Sequence, residues 1–344
     1  MQAVRIHAPR DLRVEDVAES PPGPGDVTVR VRAGGICGSD LHYYLHGGFG
    51  PVRVREPMIL GHEIAGEVIA VGDDVRGIAA GTRAAVNPSR PCGHCTFCRR
   101  GEPRHCLDMR FFGSAMRFPH VQGGFRETLT VPASQIFPVG DGISLGEAAL
   151  AEPLAVCLHA AHRAELTFWQ RVLVTGCGPI GILSIAIARM AGAKEIVATD
   201  IADFPLGLAG QMGADVTINV AREPERLAAY NADKGTFDVL LEASANEAAI
   251  ASALDVLRPG AVAVQIGQAG TIPVPLNAIV TKEIAFRGTF RFDVEFGEAV
   301  DLINRRALDL RPLITQVMPF TDAVAAFDLA ANRNAAVKVH LAFG

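Results

Sequence analysis

The chain has 344 residues, 49% hydrophobic and 20% charged, with a formal net charge of -5. That length exceeds what a single core sustains, so two domains are expected, and the scattered Lys and Arg give no basic footprint for nucleic acid. No apolar run reaches membrane-spanning length, and MQAVRIHAPRDLRVEDV lacks the apolar stretch and cleavage site of a secretory signal, so the expected location is the cytoplasm.

Residues 1–150 hold 12 of the 21 prolines, and short alternating segments such as 26–31 (DVTVRV) and 64–71 (IAGEVIAV) read as strands joined by turns. A barrel-like β domain follows. Within it, residues 34–44 (GGICGSDLHYY) set a lone Cys37 beside Ser39, His42, Tyr43 and Tyr44. Alone, that cysteine reads as a nucleophile with His42 as its base, a metal ligand with distant partners, or a buried structural thiol. Gly61-His62-Glu63 then offers an imidazole and a carboxylate side by side. Next comes Cys92-Gly-His-Cys95-Thr-Phe-Cys98 with Cys106, a C-x2-C-x2-C-x7-C array. Four close thiolates suit a closed, structural tetrahedral Zn2+ better than an iron–sulfur cluster, and with seven cysteines in all a disulfide framework is a poor fit. Ala151-Glu152-Pro153 adds a further carboxylate where the texture of the chain changes.

From about residue 152 strands and helices alternate. RVLVTG (171–176) precedes an apolar helix from Pro179 to Ala191, and EIVATD (195–200), VTINV (216–220), FDVLLEAS (237–244), AVAVQIG (261–267) and IAFRGTF (284–290) supply five more strands. Short, nearly all-apolar strands between helices such as NEAAIASALDVLRPG predict a doubly wound α/β domain with a parallel sheet. Two further helices, EFGEAVDLINRRAL and TDAVAAFDLAAN, and a strand KVHLAF return the chain mainly to the first domain.

At the first strand–helix turn stands G-C-G-P-I-G, with Gly176, Gly178 and Gly181, and Asp200 lies 19 residues beyond at the end of the second strand. This context satisfies the dinucleotide fingerprint: glycines for the turn, for approach of the pyrophosphate and for helix–strand packing, and an acid for the ribose. Asp200 would repel a 2′-phosphate and so favours NAD over NADP; its bland alternative is a helix cap. With a nucleotide domain present, Cys37, His62 and one or both of Glu63 and Glu152 describe an open catalytic zinc, a Lewis acid for an alcohol. Neighbours on a regular strand point to opposite faces, so spacing does not decide whether His62 and Glu63 both ligate.

Together GGICGSDLHYY, MILGHEIAGEV, CGHCTFC, AEPLAV and VTGCGPIG resemble the zinc-containing medium-chain dehydrogenases over the whole chain. The resemblance implies a GroES-like catalytic domain (1–152 plus 291–344), a Rossmann domain (153–290), a catalytic zinc in the cleft between them and a homotetramer. GHE followed by EPL is similar to the polyol branch. NPSRPCGHCTFC, DMRFFGSAMRFPH, HAAH and FRFDVEF look like bacterial L-idonate 5-dehydrogenases, which interconvert L-idonate and 5-keto-D-gluconate. A neutral polyol dehydrogenase acting on sorbitol, xylitol or galactitol is the alternative, and a non-enzymatic NAD-binding protein a distant third.

Carried over residue by residue, Cys37, His62 and Glu63 match the metal motif, and Glu152 matches the carboxylate that holds or exchanges with the zinc-bound water. Ser39 and His42 match a hydroxyl–imidazole proton relay, and Tyr43, Glu152 and Arg291 match substrate contacts. Arg110 is the candidate specific for a sugar acid. The expected cofactor set is Gly176, Gly178, Pro179, Ile180, Gly181, Asp200, Ile266 and Phe290. Two positions depart from the family: Pro205 stands where polyol enzymes commonly carry an Arg, which leaves NADP open, and Phe292 replaces a Tyr, which argues against sorbitol itself.

Overall fold

The alternation of DVTVRV builds the centre of the first unit: in the strand Asp26–Gly35 the side chains of Val27, Val29 and Val31 are fully buried. In this computed structural model, which describes every residue except Ala269, that strand pairs antiparallel with Glu63–Val71 along one edge. Its other edge is shared: Thr128–Pro132 pairs with its first half and Lys338–Ala342 with its second. Arg83–Val86, Ile136–Pro138 and Ile314–Pro319 complete a seven-stranded sheet. A three-stranded sheet of Asp11–Asp16, Gln2–Ala8 and Met58–Ile59 lies in the same unit. The unit comprises Met1–Glu152, Phe296–Asn332 and Lys338–Gly344. Its final strand therefore delivers Lys338 to the loop that carries Ile36 and Cys37, where the Ile36 amide donates to the Val339 carbonyl (3.0 Å).

The second unit, Pro153–Glu295 with Arg333–Val337, is a six-stranded parallel sheet. In order of appearance its strands are Arg171–Thr175, Glu195–Asp200, Val216–Asn219, Phe237–Glu242, Leu257–Gln265 and Ala285–Gly288. In space they lie third, second, first, fourth, fifth, sixth. The order reverses between the first and fourth strands, the position at which doubly wound sheets take nucleotides. One face of the sheet packs Leu173, Val197, Ile218, Leu240 and Ala263 against Ile250 and Leu254 of the helix Glu247–Val256. That helix is shorter than NEAAIASALDVLRPG suggests. It stops at Val256 because Pro259 disfavours helical backbone at Arg258, and the buried Leu257 already begins the fifth strand. The helix after Phe292 likewise ends at Asn304, short of RRAL, with Arg306 at φ 51°.

Candidate active site and metal centres

The four cysteines of the array meet around the short helix Thr96–Arg99, with their sulfurs within 4.8 Å of one another. Cys95 and Cys98 Sγ lie 3.5 Å apart, near the edge of about 3.8 Å expected for a tetrahedron with Zn–S bonds of about 2.3 Å. Backbone amides point at the sulfurs: Cys92 and Asp108 donate to Cys106 Sγ (3.1 and 3.3 Å), and Leu107 donates to Cys95 Sγ (3.5 Å). The amides of Cys98 and Leu107 bring the Cys95 thiol down to about 6, while burial and the Cys95 sulfur push Cys98 up to about 12. A thiolate at Cys95 thus forms readily while its neighbour Cys98 resists a second negative charge, and a divalent cation would resolve that conflict. The donor set fits Zn2+ with no position left open. His94 turns away, its Nδ1 within 2.8 Å of the Cys92 carbonyl.

Cys37 comes from one segment of the chain and the adjacent His62 and Glu63 from another, and each brings one ligand atom within 4.8 Å of the others. Cys37 ends the central strand's loop and caps the helix Gly38–His46, and the buried Asp40 of that helix accepts from the amides of Cys37 (3.0 Å) and Gly61 (3.2 Å). This carboxylate ties the thiol loop to the loop bearing His62. Gly61, at φ 91°, lets the chain bend so that His62 and Glu63 leave the flat strand geometry. His62 is 4% exposed, and its Nδ1 is buried without a hydrogen bond, 3.8 Å from Asp40 Oδ1. Burial opposes a charge on His62, yet Asp40 and Cys37 outweigh it and hold its pKa well above the ordinary imidazole value. A site that draws a proton onto a buried imidazole is one that accepts a cation. Thiolate, imidazole and carboxylate fit Zn2+ here too.

Glu63 does not stand alone. Lys338 Nζ donates to both of its oxygens (2.8 Å each) and to the Ile36 carbonyl (3.1 Å), a pair of side chains each 1% exposed. Glu152, 6% exposed at the start of the helix Ala151–Arg163, lies outside the three-atom cluster, but its charge raises the pKa of both His62 and Lys338. Lys338 went unread in the sequence. Ser39 and His42 sit one turn apart on the helix Gly38–His46, and burial, with His46 nearby, lowers the pKa of His42.

In the glycine turn each residue has its own geometry. Gly176 adopts φ 83°; a Cβ on Gly181 would meet the Gly176 carbonyl at 1.8 Å; nothing lies within 4 Å of a Cβ on Gly178, which starts the helix Pro179–Met190. Asp200 Oδ2 accepts from the Cys177 amide (2.8 Å) and Oδ1 from Ile201 and Ala202 (2.7 and 3.0 Å). The following helix is capped by Ala202, so Asp200 is not its cap. Its carboxylate joins the glycine turn to the end of the second strand.

The substrate candidates are divided. Tyr43 is 2% exposed and its hydroxyl accepts from the Ala115 amide (3.0 Å), so it packs in the core and anchors the FFGSAM segment instead of presenting its ring to solvent. Arg110 is exposed on a two-residue strand opposite Arg90. Arg291 adopts φ 53°, with its guanidinium carbon 4.8 Å from the Phe290 ring centroid. Just beyond it, buried Glu295 accepts through Oε1 from His159 (2.8 Å) and His162 (3.2 Å) and through Oε2 from the Asp293 amide (2.8 Å). The HAAH and FRFDVEF stretches thus clasp one another, a pairing across 136 positions that the sequence did not reveal.

Residues 23–141 match the alcohol dehydrogenase GroES-like domain, and residues 179–305 match the zinc-binding dehydrogenase domain. The chain belongs to the zinc-containing medium-chain dehydrogenases. It is 42% identical to L-idonate 5-dehydrogenase (NAD(P)(+)) of Escherichia coli over 92% of this chain and 91% of that protein. It is 36% identical to the sorbitol dehydrogenase of Gallus gallus, covering 98% and 95%. The crystal structure of L-idonate 5-dehydrogenase from Escherichia coli superposes with a TM-score of 0.94 at 39% identity, covering 99% and 98%. The protein is therefore a zinc- and NAD(P)-dependent dehydrogenase of the polyol branch, with a small-molecule substrate, and the expected GroES-like and Rossmann architecture holds. Among the described residues no helix is long and apolar enough to cross a membrane.

Proposed function

We propose that the enzyme interconverts a sugar acid and its keto acid, with L-idonate and 5-keto-D-gluconate as the pair. The observation that carries this reading is the likeness to the Escherichia coli L-idonate enzyme along nearly the whole chain. The Arg291 segment supports it: a planar guanidinium can give a carboxylate two parallel hydrogen bonds, and the Glu295 clasp fixes the backbone beside it. Cys37 and His62 would hold a zinc ion that supplies Lewis acidity toward the alcohol oxygen, and the glycine turn would hold the NAD(P) that supplies hydride chemistry.

In this reading Lys338 holds the Glu63 carboxylate beside the metal, and Glu152 supplies the remaining acidic group near it. Ser39 and His42 carry the alcohol proton toward solvent. A depressed His42 pKa keeps that imidazole neutral and ready to accept at neutral pH. Asp200 selects NAD by its charge. We place the enzyme in the cytoplasm, where seven free thiols persist, and as a homotetramer. The edge strand Ala285–Gly288 would supply a surface for pairing copies.

The likeness to sorbitol dehydrogenase supports a second reading, a neutral polyol substrate. NADH formation on L-idonate, D-gluconate, sorbitol, xylitol and galactitol separates the two. L-Idonate should give the highest kcat/KM, and Arg291→Ala or Arg110→Ala should cost about 2–4 kcal/mol for the acid, with a much smaller loss for polyols in Arg110→Ala. Equal activity on L-idonate and sorbitol, or no selective loss in either variant, would favour the polyol reading.

A further inference from the structure

Three neighbouring strands of the parallel sheet converge on one carboxylate. Glu242, the last residue of the fourth strand, is 1% exposed. Its Oε1 accepts from the Thr175 hydroxyl (3.2 Å), the amides of Ser244 (2.9 Å) and Ala245 (3.1 Å), and the Ser244 hydroxyl. Its Oε2 accepts from the Ala245 amide (3.1 Å) and the Gln265 side chain. Its main-chain carbonyl accepts from Ile266 (2.8 Å) and Gly267 (2.9 Å). Thr175 immediately precedes Gly176, and Gln265 ends the fifth strand.

The turn gripped by this carboxylate is strained and tightly seated. Ala245 adopts φ 53°, a left-handed backbone that residues with a Cβ rarely take, and both Glu242 oxygens hold its amide. A Cβ on Gly176 would lie 2.8 Å from Ser244, and a Cβ on Gly267 would lie 2.7 Å from the Ala245 nitrogen. The turn is wedged between the first glycine of the dinucleotide motif and the end of the fifth strand.

We propose that Glu242 is a positioning residue for the dinucleotide. Its carboxylate sets the Ser244–Ala245 turn against Gly176 and, through Gln265, fixes Ile266 and Gly267, so the walls of the cofactor crevice are in place before the cofactor arrives. The proposal rests on the cofactor reading of the glycine motif. A glutamine at 242 has nearly the same shape but only one acceptor oxygen, and its amide N–H groups would face other donors.

The test is NADH affinity by fluorescence titration of the zinc-loaded full chain, with melting temperature and zinc content measured alongside. Glu242→Gln should weaken NADH about tenfold, with zinc content unchanged and the alcohol KM at saturating cofactor within about threefold of wild type. Gln265→Met, which removes one donor and leaves the grip on Ala245, should weaken NADH by about two- to fivefold. Adding Ala245→Gly to Glu242→Gln should recover part of the loss, because glycine needs no carboxylate to hold a left-handed turn. A lower melting temperature with NADH affinity within about twofold of wild type would reduce Glu242 to a knot in the fold and overturn the proposal. If Glu242→Gln does not fold, unchanged affinity in Gln265→Met overturns it. A wild-type protein that binds no NADH would instead overturn the cofactor reading.

Discussion

Between Cys92 and Cys106 four thiols come from one stretch of fifteen residues, whereas Cys37, His62, Glu63 and Lys338 come from opposite ends of the chain. The first cluster is organised by its own turns and backbone amides, and its sulfurs satisfy each other's geometry. The second exists only once the central strand, the Gly61 bend and the last strand are assembled; His62, Glu63 and Lys338 are buried in it and Cys37 is half-buried. On the reading proposed above, a metal in the first cluster would hold a lobe together, whereas in the second the buried side chains of Asp40, Glu63, Glu152 and Lys338 would set the electrostatics around the reacting position. The proposed contributions differ accordingly: local stability in one case, chemistry in the other.

That contrast can be broken by single substitutions. Cys37→Ser should lower kcat by about a thousandfold or more, on the order of 4 kcal/mol in barrier, while the melting temperature changes little. Steady-state kinetics with a thermal melt checks both halves. Lys338→Met should be the most destabilising change near the reactive cluster. It leaves the Glu63 carboxylate buried without its partner, at a cost of about 3–5 kcal/mol in denaturant unfolding. Should Lys338→Met instead leave stability untouched, the buried pairing assigned to Lys338 and Glu63 is wrong.

Cys98→Ser should do the reverse of Cys37→Ser. It should shed one zinc and lower the melting temperature, yet keep activity within about tenfold while the chain is folded. The smallest effect lies in acid. His159, with the Asp293 amide, outweighs burial and holds the Glu295 carboxyl well below the ordinary range. Its pKa is depressed in the folded state, so its stabilisation is fully present above the ordinary carboxylate pKa of about 4.3 and fades as pH falls through the lower folded value. The difference in melting temperature between wild type and Glu295→Gln should therefore be constant from neutral pH down to about 5 and shrink below that.

The same contrast decides what could be read from the sequence. The four-cysteine array was legible because its geometry is local. So were the parallel strands, since each is a short apolar run, and the glycine turn, whose spacing gains meaning from the strand before it, the helix after it and Asp200 beyond. Lys338 was hidden in KVHLAF: a lysine at the head of an apolar strand reads as solvent-facing, and its partner is 275 positions away. Its one signal is that the strand is buried on both faces. The burial of Tyr43 was hidden for a related reason, since its place in GSDLHYY gives no sign that its helix face turns to the core. Glu242 was absorbed into FDVLLEAS as a strand end. Nothing in the sequence announces that three strands share one carboxylate.

Stepwise chelation with simultaneous zinc and activity measurement tests the central claim most directly. Native enzyme should carry two zinc ions per chain, one in each cluster of metal-capable residues. Activity should fall in step with loss of the zinc at Cys37 and His62 and should return on adding zinc back. In Cys37→Ser the single remaining zinc should leave only when the Cys92–Cys106 lobe loosens, with no activity at any stage. Full turnover in the metal-free protein, or activity that follows only the four-thiol zinc, would contradict the account.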